Sequence, residues 1–189
     1  MKSMPRNLSI IISLLFILLL FHYPANAQIY FTKNGYAEFS SQSTLEDFTG
    51  KSEYLTGKIN LKDSTVDFYI DLSTLNTGIK LRDEHMYEDY LEVDKYPFAS
   101  LYGKLTGITD SSGSDTQKVA VKGNFKVHGI SHKIQINGNL LKENDRLIVK
   151  ASWPLQLQDY KIDIPRFLFL RVNRTIHISI QAELKVQPD

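Results

Sequence analysis

The chain has no cysteine in its 189 residues. Disulfide bonds, thiolate catalysis, Cys-ligated zinc and a lipidated N-terminal cysteine are all excluded, so stability must come from packing. An excess of either charge is also missing, with 22 Lys+Arg against 21 Asp+Glu. Nucleic acid needs a concentrated basic surface to neutralise its phosphates, and this balance argues against such a partner. The sequence contains no Gly-x-Ser-x-Gly elbow, no His-Glu-x-x-His pair and no Gly-rich phosphate loop. Hydrolytic or nucleotide-dependent catalysis therefore has no signature. The expectation is a protein that is not an enzyme and needs neither cofactor nor metal.

One long apolar run is present, and it comes first. Lys2 and Arg6 precede the 14 residues from Leu8 to Phe21, which only Ser9 and Ser13 interrupt, and Ala25-Asn26-Ala27 follows before Gln28. A membrane-spanning helix needs roughly 20 apolar residues. The shorter run, with its small-x-small pattern, reads as a signal peptide over residues 1–27, cleaved near Ala27. The expected product, residues 28–189, is exported, periplasmic or secreted, and soluble. Cleavage would leave 20 Lys+Arg against 21 Asp+Glu. A single domain of this size can bury a core unaided. No repeat or linker divides it.

Period-two alternation dominates the rest. Val66, Phe68, Ile70 and Leu72 share one parity, and Asp67 and Asp71 the other. Val119, Val121, Gly123, Phe125 and Val127 alternate with Lys122, Asn124 and Lys126. The same pattern runs through Ile134, Ile136 and Leu140, through Leu147, Val149, Ala151 and Trp153, and from Ile176 to Val186. Each run is a half-buried strand. Weaker strands are expected at Ile29 to Thr32, Tyr36 to Ser41 and Tyr54 to Leu61, with another from Pro97 through Leu105. Ser43-Thr44-Leu45-Glu46 matches a capping box that would open one helical turn. Residues 109–116, rich in Ser and Asp, read as a loop. Short turns make the strands antiparallel, and the fold class is all-β. Both a sandwich and a closed barrel satisfy the pattern. The long final run, Thr175 to Lys185, favours the barrel, whose strands tilt and coil.

One stretch breaks the alternation. Asn76-Thr77-Gly78 leads into an amphipathic helix expected from Leu81 to Leu91, and Tyr96-Pro97 starts the next strand. Its Arg82-Asp83-Glu84-His85-Met86 core resembles the Arg-Asp-x-His-Leu signature of the YceI-like family. Val121-x-Gly123-x-Phe125-x-Val127-x-Gly129-Ile130-Ser131-His132 is similar to a second family element, and Asp159-Tyr160-Lys161-Ile162 to a third. In that third element Lys161 stands where the family has glycine, so the backbone must manage without a residue that takes φ > 0 easily. The resemblance spans residues 29–186 and is specific only at these elements. It implies an extended, lipocalin-like antiparallel barrel of about eight strands. It also implies a lipid-binding function, with an isoprenoid-type amphiphile, a quinone or a polyprenyl phosphate, as the partner.

Such a function needs inward apolar side chains beyond what close-packing requires. An eight-stranded barrel is just wide enough to be filled by side chains or to hold one ligand. Phe39, Phe68, Ile70, Phe125, Trp153 and Ile178 are the inward candidates and could do either. A filled barrel would leave a non-enzymatic stress-response or interaction domain that acts through its surface. For Arg82, Asp83 and His85 two readings stand. In one, Arg82 or His85 contacts a lipid head group at the barrel mouth. In the other, Asp83 accepts first-turn backbone N–H groups and Arg82 pairs with a carboxylate to pin the helix. Arg166 is a further head-group candidate, in a segment where basic residues mix with Phe167, Leu168, Phe169 and Leu170. That segment could be a gate, a transient contact with a membrane surface, or another strand. His128 and His132 flank a turn with no third ligand nearby and read as surface histidines, as does His177. Asn173-Arg174-Thr175 is a formal glycosylation sequon, read as idle. The sequence leaves the oligomeric state open.

Overall fold

Alternation gives every long strand one apolar face, and eight such faces close on one another. The computed structural model describes residues 29–41, 47–108, 116–163, 166–167, 170–171 and 173–187. The expected signal peptide, capping-box residues 43–46 and loop residues 109–115 lie outside the described residues.

The strands are β1 (Ile29–Ser41), β2 (Phe48–Asn60), β3 (Thr65–Asp71), β4 (Phe98–Thr106), β5 (Gln117–Val127), β6 (Ile130–Glu143), β7 (Arg146–Gln156), β8 (Arg166–Phe167), β9 (Leu170–Arg171) and β10 (Thr175–Val186). Eight of them form a closed antiparallel barrel in the order β1-β10-β7-β6-β5-β4-β3-β2, and β2 pairs with β1 to complete the ring. Closure leaves the eight barrel strands without an exposed sheet edge. The sandwich alternative is eliminated. Among the described residues, β8 and β9 pair only with each other.

Three local expectations need correction. The two short strands expected within residues 29–41 are one strand, whose register with β2 shifts between Thr32 and Ala37. A bulge there changes which parity faces inward, so the sequence looks interrupted while the strand continues. The helix begins one residue earlier than expected, as α1 (Lys80–His85), and widens into a π-turn over Met86–Tyr90. In that turn the Leu91 N–H reaches back five residues to the Met86 carbonyl, at 2.9 Å. Lys161 adopts the left-handed conformation itself, with φ 52° and ψ 33°. For a residue with a Cβ this conformation costs about 1 kcal/mol or more. Lys161→Gly should therefore raise the melting temperature by about 1–3 °C, the unfolded-state entropy of glycine offsetting part of the gain. An unchanged or lower melting temperature would contradict this.

The barrel has two unlike ends. At one end Tyr30, Leu147 and Leu184 are 0% exposed and Ile59 and Val66 are 2% exposed, so the interior is packed solid. At the other end, two strand pairs part. β2 pairs with β3 only from Asn60 to Thr56, and β6 with β7 only from Glu143 to Gly138. The helical segment between β3 and β4 lies at this open end, as do the β5–β6 turn and the connection from β7 to β10. All the polar apparatus identified below sits here.

Candidate ligand cavity

Among the described residues, the open half of the barrel holds a cavity of about 450 Å³. Its walls come from β1, β2, β3, β4, β5, β7 and β10, and α1 with its π-turn lies over it. The cavity volume falls in the range of small-molecule sites, which are about 300–1,000 Å³ and mostly apolar.

Two glycines on β2 explain why the large rings do not meet on the axis. Phe39 lies across the strand pair from Gly50, and Phe68 across from Gly57. A Cβ on Gly50 would come within 2.2 Å of the Phe39 ring, and one on Gly57 within 2.0 Å of the Phe68 ring. Each ring therefore occupies the place of a missing side chain and rests against the wall. Phe125 packs edge-on against Trp153 at 5.7 Å and against Tyr160 at 5.7 Å, so these rings also hold one another at the side. Among the described residues, the buried Trp153 indole N–H has no hydrogen-bond partner.

Phe39, Phe68, Ile70, Phe125, Trp153 and Ile178, the six inward candidates of the sequence, all lie on the cavity wall. Arg82 and His85 lie on it too, at the mouth. The side chain of Arg166 lies outside the described residues. Sequence reading missed Leu55, Leu101, Leu155 and Ile180, which also line the cavity. Strand parity carried that signal for the last three. The β1–β2 bulge obscured it for Leu55.

Thr77, on no candidate list, organises the mouth. Its backbone N–H donates to Asp83 Oδ1 at 2.8 Å, and its hydroxyl donates to the same oxygen at 2.5 Å. Arg82 Nε donates to the Thr77 hydroxyl at 2.9 Å, and another guanidinium nitrogen donates to the Thr77 carbonyl at 2.8 Å. The Arg82 guanidinium also lies 5.1 Å from the centre of the Phe48 ring, a cation–π distance. The expected helix-pinning role is present, but through other partners. Asp83 caps the Thr77 loop and not the first turn of the helix. Arg82 hydrogen-bonds threonine and, among the described residues, has no carboxylate partner. The buried Asp83 carboxylate is thus linked to the Arg82 cation through one hydroxyl. The Tyr87 hydroxyl donates to the Leu75 carbonyl and fixes the other end of the helical segment.

The β5–β6 turn corrects the reading of its histidines. His128 and Gly129 both have positive φ, 50° and 74°, the geometry of a two-residue hairpin turn. The His128 side chain is only 11% exposed. Its Nε2 lies 2.7 Å from Glu92 Oε2 and its Nδ1 lies 3.0 Å from the Tyr160 carbonyl, so one ring ties three segments of the mouth together. His132 Nε2 lies 2.9 Å from the Asp159 carbonyl and adds a second, exposed tie. His177 is exposed, as expected.

The hydrogen bond from His128, aided by the Lys95 charge, lowers the Glu92 pKa below its ordinary value. A depressed carboxylate contributes stability that is present above its unfolded pKa, about 4.3, and lost as pH falls through the folded value. Acidification from about pH 6 to about pH 3.5 should therefore cost the wild-type protein more melting temperature than Glu92→Gln. Parallel curves would remove this tie from the account.

The geometry is that of a closed barrel, packed at one end and hollow at the other, with a hydrocarbon wall and a polar rim. The chain belongs to the YceI-like domain family, whose sequence model matches residues 23–184. This is a family of generally non-catalytic binding domains. Among solved structures, the chain is similar to a polyisoprenoid-binding domain from Saccharophagus degradans implicated in plant cell wall breakdown. The TM-score is 0.72 at 17% identity, covering 86% of this chain and 100% of that one. It is also similar to Burkholderia cenocepacia BcnA, with a TM-score of 0.64 at 12% identity over 80% of this chain and 96% of that one. A YceI protein from Campylobacter jejuni matches with a TM-score of 0.56 at 17% identity, over 78% of this chain and 85% of that one. At these identities the likeness is one of fold. No curated protein matches the chain by sequence.

Proposed function

We propose that this protein sequesters or carries one isoprenoid-type amphiphile without catalysing a reaction. The apolar chain lies in the cavity, and the head group sits at the mouth near Thr77, Arg82 and His85. A quinone or a polyprenyl phosphate meets that description. The observation that carries the reading is the cavity of about 450 Å³, hydrocarbon-walled and rimmed by these few polar groups. The likeness in fold to the S. degradans polyisoprenoid-binding domain supports it.

The energetics are adequate without a charged contact. At roughly 30 Å³ per non-hydrogen atom the cavity holds about 15 such atoms. Burying them is worth about 12 kcal/mol before costs, at about 0.8 kcal/mol for each CH₂-sized group. Association and chain ordering cost about 4 kcal/mol or more, which leaves room for binding at micromolar level. The signal-like residues 1–27 support export, which would place the carrier in a periplasmic or extracellular setting. The barrel is filled in one half and hollow in the other, so a purely surface-acting domain would leave the hollow half without use.

Organic extraction of purified protein (residues 28–189), followed by mass spectrometry, tests the proposal. A co-purifying or readily taken-up quinone or polyprenyl species is expected. A clean extract with no uptake of added lipid would favour the surface-acting domain.

A further inference from the structure

The cavity stops half-way along the barrel. On β10 it is bounded by Ile176, Ile178 and Ile180, while Ala182 and Leu184, next along the same face, belong to the packed half. On β7 it takes in Leu155 and Trp153 but neither Val149 nor Leu147. On β3 it reaches Phe68 and stops before Val66, and on β4 it reaches Leu101 and stops before Leu105. Beyond that boundary Val66, Leu105, Leu147, Val149, Ala182 and Leu184 are at most 8% exposed and fill the interior. Ala37, paired with Ile180, is the small side chain at the deep end.

From Ile176 to Ile180 the wall advances four residues, about 13 Å at roughly 3.3 Å each. Taking the cavity as an apolar-chain site, as proposed above, we infer that it encloses only a short chain. The limit is about 15 non-hydrogen atoms, equivalent to about three isoprene units. A longer polyprenyl tail keeps its remainder outside the mouth. The stop is built by Tyr30, Ile59, Val66, Leu105, Leu147 and Leu184, which act as a ruler for tail length. These residues decide specificity without touching a head group.

Prenyl monophosphates of two, three, four and five isoprene units, each kept below its aggregation concentration, test this by calorimetric titration. Affinity should rise at least about tenfold from two units to three, because each unit adds five buried carbons. It should then change by less than about threefold from three units to five, where added carbons remain in water. In Ala37→Phe the plateau should begin at two units, and Ala37→Leu serves in its place should that variant fail to fold. Affinity climbing about tenfold per unit through five would overturn the ruler while leaving the carrier proposal intact. So would a plateau unmoved by a well-folded Ala37 variant. Absence of binding by every member of the series would overturn the carrier proposal, and the ruler with it.

Discussion

Ala99→Phe is expected to weaken binding of an isoprenoid chain by about 100-fold or more while leaving the barrel folded. Ala99 lies on β4 with its side chain on the cavity wall, next to the mouth. The added ring would occupy space now empty, about 180 Å³ at roughly 30 Å³ per non-hydrogen atom. That is a large share of the 450 Å³ cavity. The ligand would lose several buried CH₂-sized groups at about 0.8 kcal/mol each, and a net loss of about 3 kcal/mol is a conservative figure. Filling a void does not force the strain of overpacking, so the melting temperature should stay within a few degrees of wild type. Calorimetric titration and thermal denaturation of the same preparation separate the two effects. Unchanged affinity in a folded Ala99→Phe protein would mean that the ligand binds elsewhere.

The second large effect is on stability. Thr77→Val keeps the shape of the side chain but removes the hydroxyl that links Arg82 to Asp83. Among the described residues, the Asp83 carboxylate, only 7% exposed, would keep a single donor, the Thr77 N–H, and Arg82 Nε would lose its acceptor. Leaving such groups under-satisfied costs about 2–4 kcal/mol. For a domain of this size that corresponds to a fall of about 4–12 °C in melting temperature. Thr77→Ser restores the hydroxyl and should recover most of the loss. Equal melting temperatures for the valine and serine variants would show that the hydroxyl bridge is not what fastens the helix.

How much of this was legible in the sequence depends on the range of each interaction. Strand parity is local, and it identified the barrel strands and six residues of the cavity wall. It could not tell a filled interior from a hollow one. That outcome depends on which residue faces which across strands: Phe39 over Gly50 and Phe68 over Gly57, on strand pairs whose register no single strand encodes. Parity also failed where the backbone departs from the regular pleat, at the β1 bulge. The Arg82-Asp83 motif pointed to the right place with the wrong partners, because the threonine that joins them lies in the preceding loop. His128 was rightly read as a turn residue but wrongly as a surface one, because its partners, Glu92 and Tyr160, are 36 and 32 residues away in sequence. Lys161 was recognised as a glycine replacement, and the chain tolerates the strained conformation there.

The chain contains one tryptophan, Trp153, and it stands on the cavity wall. Its fluorescence therefore reports on occupancy of the cavity without any added label. Titration of the protein with an isoprenoid quinone, a quencher of indole emission, should produce quenching that saturates at one equivalent and is displaced by a non-quenching prenol. Emission that does not respond, or that falls without saturation and identically in free tryptophan, would contradict the central claim that the hollow half of this barrel is a lipid-chain site.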